Sequence, residues 1–256
     1  MRHLIFLLFI VALPRVVTAR EFVVNQKDGK ASDTNAGTSE KPLKTISAAA
    51  MRVQAGDRVV IHAGQYRETV LINASGTIDA PIIFEAAPGE TAVIKGSEII
   101  KRWTRDTGEI WKATLPPLPK RGSKVDDPTF WRTNDVRMVI VRDGEQLDAQ
   151  HLRRVLARDQ LQPGAFFCDI PNNLLFVWLA DSTNPNDTAM EVALRGAWLY
   201  VFGNNITIRG LQMRHSSTLG VVNWPACVLK GNNITVEACS ISWSDFVGVS
   251  LGGNND

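Results

Sequence analysis

Short apolar pairs, separated by polar residues and glycine, recur along the last quarter of the chain. Gly203-Asn204-Asn205-Ile206-Thr207-Ile208 returns as Gly231-Asn232-Asn233-Ile234-Thr235-Val236, and Gly253-Asn254-Asn255 opens the pattern again. The starts lie at 203, 231 and 253, so they are 28 and then 22 residues apart, and the longer interval holds a loop over residues 218–225. Each copy carries an alternating strand, Ile206/Ile208 or Ile234/Val236, then a second apolar pair, Leu211/Met213 or Cys239/Ile241. A third follows a glycine, Val221 behind Gly220 or Val249/Leu251 behind Gly248. Three strands too short to bury a face alone, packed into about 22 residues, are the arithmetic of one coil of a parallel β-helix. Its coils must stack to make a core. Asn at a fixed bend supports this reading, because it tolerates left-handed backbone and its amide can bond the coil above and below. The 28-residue offset places Trp243 over His215, Asp245 over Ser217 and Glu237 over Arg209.

The N-terminal part reads as irregular first coils. Strands are expected at residues 21–24, 57–62, 69–72, 81–86 and 92–95, with a turn over 63–68. Between the first two, Ile46, Ala49, Ala50 and Val53 fall at offsets 0, 3, 4 and 7, the spacing of an amphipathic helix. Thr45 supplies its N-cap and Gly56 its stop. A solenoid exposes apolar interior and unpaired strand edges at its first coil, and such a helix covers that end. Residues 98–197 break the coil pattern and read as a small β insertion between coils. In it, Trp103, Trp111 and Pro116, Pro117 and Pro119 suggest extended loops, a hairpin strand runs over 138–141, and two further strands, 161–169 and 172–179, are joined by a turn.

The runs Ser32-Asp33-Thr34-Asn35-Ala36-Gly37-Thr38, Lys41-Pro42-Leu43-Lys44-Thr45-Ile46, Ala55-Gly56-Asp57-Arg58-Val59 and Ala63-Gly64-Gln65-Tyr66-Arg67-Glu68 resemble the opening signature of secreted right-handed parallel β-helix proteins of the pectate-lyase-like superfamily. The resemblance covers residues 21–97 and 198–256. It implies an all-β, right-handed parallel β-helix with an N-terminal capping helix. It also implies a groove along the outside of one parallel sheet, where side chains of successive coils line up along a sugar chain. Lyases of this kind abstract a proton beside a uronate carboxyl with a Lys or Arg base, often with Ca²⁺ held by carboxylates; hydrolases set two carboxylates across the glycosidic bond. The implied function is that of a polysaccharide lyase or glycoside hydrolase acting on an extracellular polysaccharide. An epimerase and a non-catalytic glycan-binding or adhesion module share the architecture, since fold does not fix function.

Composition narrows the setting. Arg2 and His3 precede an apolar run over residues 4–13, and Val17-Thr18-Ala19 offers small residues before a cut, so residues 1–19 read as a secretory signal peptide and 20–256 as the β-helix domain. The apolar run is short of the roughly 18 residues a membrane span requires. The mature chain is expected outside the cytoplasm, secreted or periplasmic. Removing residues 1–19 takes away Arg2 and Arg15, so 28 − 2 = 26 basic residues face 26 acidic ones. A neutral chain gives no support to nucleic-acid binding. Three cysteines, Cys168, Cys227 and Cys239, form no disulfide framework and no metal-ligand spacing; Cys239 reads as a small buried hydrophobe, with a Cys227–Cys239 bridge as the alternative.

Four side chains are candidates for the site. His215 and Asp245 form a conceivable acid/base pair in the turn after the second strand, against the alternative of hydrogen-bonded turn residues. Trp224 and Trp243 could stack on a sugar ring, or lie half-buried under a loop. Arg209 and Glu237 should point outward and pair. Asp33, Asn35 and Glu40 could bind a cation or simply turn the chain. Asn73, Asn186, Asn205 and Asn233 begin glycosylation triplets, the last two inside the repeated bend. The chain stops as a coil begins, so further C-terminal coils are expected beyond Asp256.

Overall fold

A computed structural model describes residues 19–116, 139–142, 150–217, 225–245 and 247–252. Three parallel sheets wrap one apolar core. Sheet A stacks Glu21–Val24, Arg58–Ile61, Ile82–Ala86, Ile206–Arg209 and Ile234–Glu237. Sheet B stacks Gly64–Tyr66, Ala92–Lys95, Gln212–Ser216 and Ser240–Ser244. Sheet C stacks Val70–Ile72, Leu199–Val201, Pro225–Leu229 and Val247–Leu251. The chain visits A, B and C in turn and then climbs one coil, so the Asn205 and Asn233 segments lie side by side in parallel, 28 residues apart.

Like residues stack on like in this register. Phe22, Val59, Phe84 and Ile208 form one interior column, continued by the exposed Val236; Tyr66, Ile94, Met213 and Ile241 form another. A strand such as Val70–Ile72 buries two side chains, worth about 1.5–3 kcal/mol each, against roughly 1–2 kcal/mol of backbone entropy for every residue fixed. It holds only as a rung between neighbours.

The Gly-Asn-Asn bend has a physical cause at each letter. A Cβ on Gly231 would stand 1.9 Å from the Gly203 carbonyl oxygen, and one on Gly203 would stand 1.8 Å from that of Ala74. Backbone lies on backbone there, and glycine alone fits. Asn205 and Asn233 take left-handed φ of 52° and 54°. The Asn233 amide donates to Asn205 Oδ1 at 3.0 Å and the Asn205 amide to the Gly76 carbonyl at 3.1 Å, while Asn232 N donates to Asn204 Oδ1 at 2.8 Å.

The capping helix is Ile46–Ala50, shorter than the spacing predicts. Thr45 is its N-cap, with Oγ1 accepting from Ala48 N at 3.1 Å. Glu68 adds a second cap that no local pattern announces, accepting from Ile46 N and Ser47 N at 2.9 Å each. So short a helix depends on packing: Ile46, Ala48, Ala49 and Ala50 are buried against the first sheet A strand and Val70–Ile72.

Several strand expectations need correction. Gly64–Tyr66, expected as a turn, is a rung of sheet B; with Tyr66 alone pointing inward, three residues carry no visible period. The sheet C strand of the coil that starts at Gly203 is Pro225–Leu229; Val221, expected to carry it, lies outside the described residues. All five of its residues are buried, so alternation vanishes. Trp103 and Trp111 flank and enter a hairpin, Thr104–Thr107 with Ile110–Thr114, rather than long loops.

The insertion interrupts a single coil between its sheet B and sheet C strands. One antiparallel sheet joins Ser97–Ile100, Ala189–Ala193, Val139–Arg142 and Gln150–His151. A second joins the Trp111 hairpin to Leu174–Trp178 and Ala165–Asp169, with Arg153–Arg154 parallel at its edge. Ile100, Phe166, Leu175, Val177 and Val192 fill a core separate from that of the coils. Both ends of the insertion meet at Gly96, whose carbonyl accepts from Leu194 N and Arg195 N at 2.9 Å each.

Candidate functional site

The outer face of sheet B carries an unusual register. Gln65, Val93, Gln212 and Ser240 share one position on successive coils. Two residues on, Lys95, Arg214 and Ser242 share one outward position on rungs about 4.8 Å apart, and Arg67 follows Tyr66 just past the end of the first rung. The Gln–Arg pairing repeats: Arg67 Nη2 donates to Gln65 Oε1 at 3.1 Å, and Arg214 Nη2 to Gln212 Oε1 at 2.7 Å.

The insertion sets one carboxylate against this column. Glu191 accepts from Lys95 Nζ at 2.8 and 3.0 Å, from Arg67 at 2.9 and 3.2 Å and from Ser97 Oγ at 2.6 Å. Glu191 is 1% exposed, Lys95 3% and His215 4%, so these charges survive out of water only as a compensated set. Burial pushes the Glu191 carboxyl up. Hydrogen bonds from His215 and Arg67 and the charges of Arg67 and Lys95 outweigh it and hold the carboxyl far below the ordinary range. Glu191 is ionised.

His215 joins this cluster. Its Nδ1 lies 3.1 Å from Ser97 Oγ and 3.4 Å from Glu191 Oε2. Ser97 has one hydroxyl proton and donates it to Glu191 at 2.6 Å, so Nδ1 of His215 carries the proton in that contact and Nε2 keeps its lone pair. Burial, and secondarily Lys95 and Arg214, depress the imidazole below its ordinary value, leaving it neutral near pH 7. The residue belongs to the strand Gln212–Ser216, not to the following turn, with a left-handed φ of 63°. Trp243, one coil on, repeats that conformation at 59°. The offset read from sequence therefore holds.

Asp245 is exposed beyond the next rung, its backbone N donating to the Ser216 carbonyl at 3.2 Å. Trp243 is 42% exposed, and its ring centroid stands 4.0 Å from that of His151 on the insertion. His151 reaches over toward His215, 6.3 Å between ring centroids. Trp224 lies outside the described residues. The insertion thus covers the Arg67 and Lys95 rungs and leaves Arg214, Ser242 and Trp243 the more open end, with His151 as a side wall.

Calcium, which the resemblance implies, needs several carboxylate or carbonyl oxygens free to converge. Among the described residues no group of three or more His, Cys, Asp or Glu gathers to hold a metal ion. Glu191 is already saturated by two cations. Asp33 accepts from Lys44 N, Thr45 N and Thr45 Oγ1, and Asn35 donates to the carbonyls of Lys30 and Pro42, which is turn-building work. The residues described do not fit the ion. Arg209 and Glu237 pair as expected, inside a longer ladder on sheet A that runs Glu21, Arg58, Glu85, Arg209, Glu237. Cys227 is buried and its thiol is pushed up to about 12; Cys239 is half-buried, and both are free thiols.

Sequence reasoning found His215 and Trp243 but missed Arg67, Lys95, Arg214, Ser97 and Glu191. The 28-residue offset relates Lys95 to Arg67, but the insertion separates Arg214 from Lys95 by 119 residues, so no fixed period read from sequence joins the three cations. Nothing local marks Glu191, which is 96 residues from Lys95 and 124 from Arg67.

Three parallel sheets stacked coil on coil around one apolar core define a parallel β-helix protein. No family model matches the chain. Pectate lyase PEL9 of Emericella nidulans is 28% identical over 164 residues, 61% of this chain and 37% of that protein. The uncharacterized protein YwoF of Bacillus subtilis is 41% identical over 68 residues, 27% of this chain and 14% of that one. The chain therefore spans less than two-fifths of the curated relatives it matches. Among solved structures, XylC in complex with xylose superposes with a TM-score of 0.62 at 20% identity, covering 88% of this chain and 43% of that one. A glycoside hydrolase does so with 0.61 at 15%, covering 90% and 62%. At these identities the structures speak for the fold. No helix among the described residues is long and apolar enough to cross a membrane.

Proposed function

We propose that the protein is a secreted, carbohydrate-active β-helix that acts on an extracellular polysaccharide, with the outer face of sheet B around Arg214 as its groove. The observation that carries this is Lys95 in register with Arg214, with the Gln212–Arg214 pair on one coil matched by a Gln65–Arg67 pair on the first. A strand-spaced row of cations and amides suits a chain whose repeating units carry carboxylates or hydroxyls. The same column favours lyase over hydrolase. A hydrolase needs two carboxylates across the bond, and Glu191 is committed to Lys95 and Arg67. In a lyase, a cation beside the sugar carboxylate stabilises the charge that develops as the neighbouring proton leaves. Arg214 is suited to that role, and His215 Nε2 to accepting a hydrogen bond or proton. Trp243 offers a ring face for stacking.

Incubation with a panel of neutral and acidic polysaccharides tests the reading. Products absorbing in the ultraviolet identify elimination, and new reducing ends without that absorbance identify hydrolysis. Arg214→Ala should lower kcat/KM by about 10²-fold or more while leaving the thermal midpoint nearly unchanged. Unaltered kcat/KM in that variant would remove the groove from sheet B. A binding module without catalysis is the second reading, favoured by the burial of His215 and Glu191; retention on a glycan column with no product of either kind would establish it.

A further inference from the structure

We propose that cleavage between Ala19 and Arg20 creates an α-ammonium group that docks on the buried carboxylate of Asp57, making Asp57 the receptor for the processed N-terminus. Asp57 is 0% exposed, yet most of its partners come from a residue at the edge of the fold. Arg20 gives it three bonds: backbone N to Oδ1 at 2.9 Å, Nε to Oδ1 at 3.3 Å and Nη2 to Oδ2 at 2.7 Å. Gln54 N gives the fourth, to Oδ2 at 2.8 Å. The Arg20 carbonyl accepts from Arg58 N at 2.9 Å and Nη2 also reaches the Arg52 carbonyl at 3.1 Å, so residue 20 is fixed through backbone and side chain alike. Ala19, one residue earlier, is exposed.

The sequence places a secretory cleavage point at this same bond, after Val17-Thr18-Ala19. Hydrolysis by a signal-type peptidase adds water across the amide. The Ala19 carbonyl carbon takes the hydroxyl and becomes a carboxylate, and the Arg20 nitrogen takes the proton and leaves as an amine, protonated at neutral pH. The atom that donates to Asp57 as a neutral amide then donates as a cation, and a charge-assisted bond is about twice as strong. Before the cut, a fully desolvated carboxylate faces one guanidinium that is 47% exposed; after it, two positive charges share the carboxylate. Other charges nearby are already engaged: Glu21 pairs with Arg58, and the Arg52 guanidinium is turned to the carbonyls of Asp33 and Asn35. This inference is independent of the groove on sheet B.

The test starts from the precursor exported by a secreting host. Intact mass should place the mature N-terminus at Arg20; a start at any other residue overturns the proposal. Three purified forms follow: the mature chain, the same chain retaining Ala19, and the mature chain with Asp57→Asn. Competitive acylation of the terminal amine should label the mature chain at least about tenfold more slowly at pH 8 than the Ala19-retaining form. That corresponds to a pKa raised by about 1.3 units or more above the ordinary value near 8. Asp57→Asn should abolish the difference; if that variant does not fold, the Ala19-retaining form still decides. A raised pKa in the folded state contributes stability that is complete below about pH 8 and lost as pH rises through the folded value. The thermal-midpoint advantage of the mature chain over the Ala19-retaining chain should therefore shrink in alkali. Equal labelling rates, or an advantage flat with pH, would refute the docking.

Discussion

Gly231 sits where two coils touch backbone to backbone, and a methyl group there meets the Gly203 carbonyl at 1.9 Å. Rigid backbone cannot yield as a flexible side chain would, so Gly231→Ala must lift one coil from the next. We expect a loss of at least about 2 kcal/mol, read from the urea midpoint, with a stability unchanged within error excluding this account. The glycines and the asparagines beside them were legible from sequence because their constraint is local: left-handed backbone and close approach restrict residue type at one position. Tyr66 shows the opposite case. It is 1% exposed and central to a core column, but its strand is three residues long and opens on a glycine. A period cannot be read from one apolar residue, so the strand passed for a turn.

Among the elements, the helix Ile46–Ala50 closes the first coil and is held at its N-terminus by two acceptors far apart in sequence, Thr45 and Glu68. Burial pushes the Glu68 carboxyl above its ordinary range despite the donors from Ser47 and Ile46. Thr45→Ala should cost about 1 kcal/mol, and Glu68→Ala more, because it orphans two part-buried backbone donors at once. Amide hydrogen exchange at Ile46 and Ser47 reads both effects. Exchange that speeds equally in the two variants would mean Glu68 carries no more than Thr45. Thr45 was visible beforehand because capping is a rule of near neighbours. Glu68 was not, since only the completed second coil brings residue 68 against residue 46. Glu191 was hidden for the same reason on a larger scale, arriving at sheet B from a separate sheet after the chain has travelled through the insertion.

At the scale of the whole molecule, the coils and the inserted sheets are joined through ionisable groups, which makes their union sensitive to acid. The Glu191 carboxyl lies far below its ordinary value of 4.5 in the folded chain, so its contribution is complete above that pH and falls away below it. His215 is depressed below 6.5, so as pH falls past that value the unfolded chain takes up a proton that the folded chain refuses. Both terms weaken the folded state in the same direction. The thermal midpoint should decline from about pH 6.5 and more steeply below about 4.5; a midpoint flat down to pH 4 would contradict the pairing. Glu191→Ala should cost about 3 kcal/mol or more at neutral pH, because it removes the buried carboxylate that both Lys95 and Arg67 engage.

The convergence of both insertion ends on the Gly96 carbonyl has a consequence for how such a chain can change. Because departure and return share one anchor, the intervening segment can lengthen, shorten or be exchanged without shifting any rung above or below it. The solenoid tolerates this as a graft point, on one condition. Whatever replaces the insertion must bring an acid of its own to the two cations waiting on the rungs beneath.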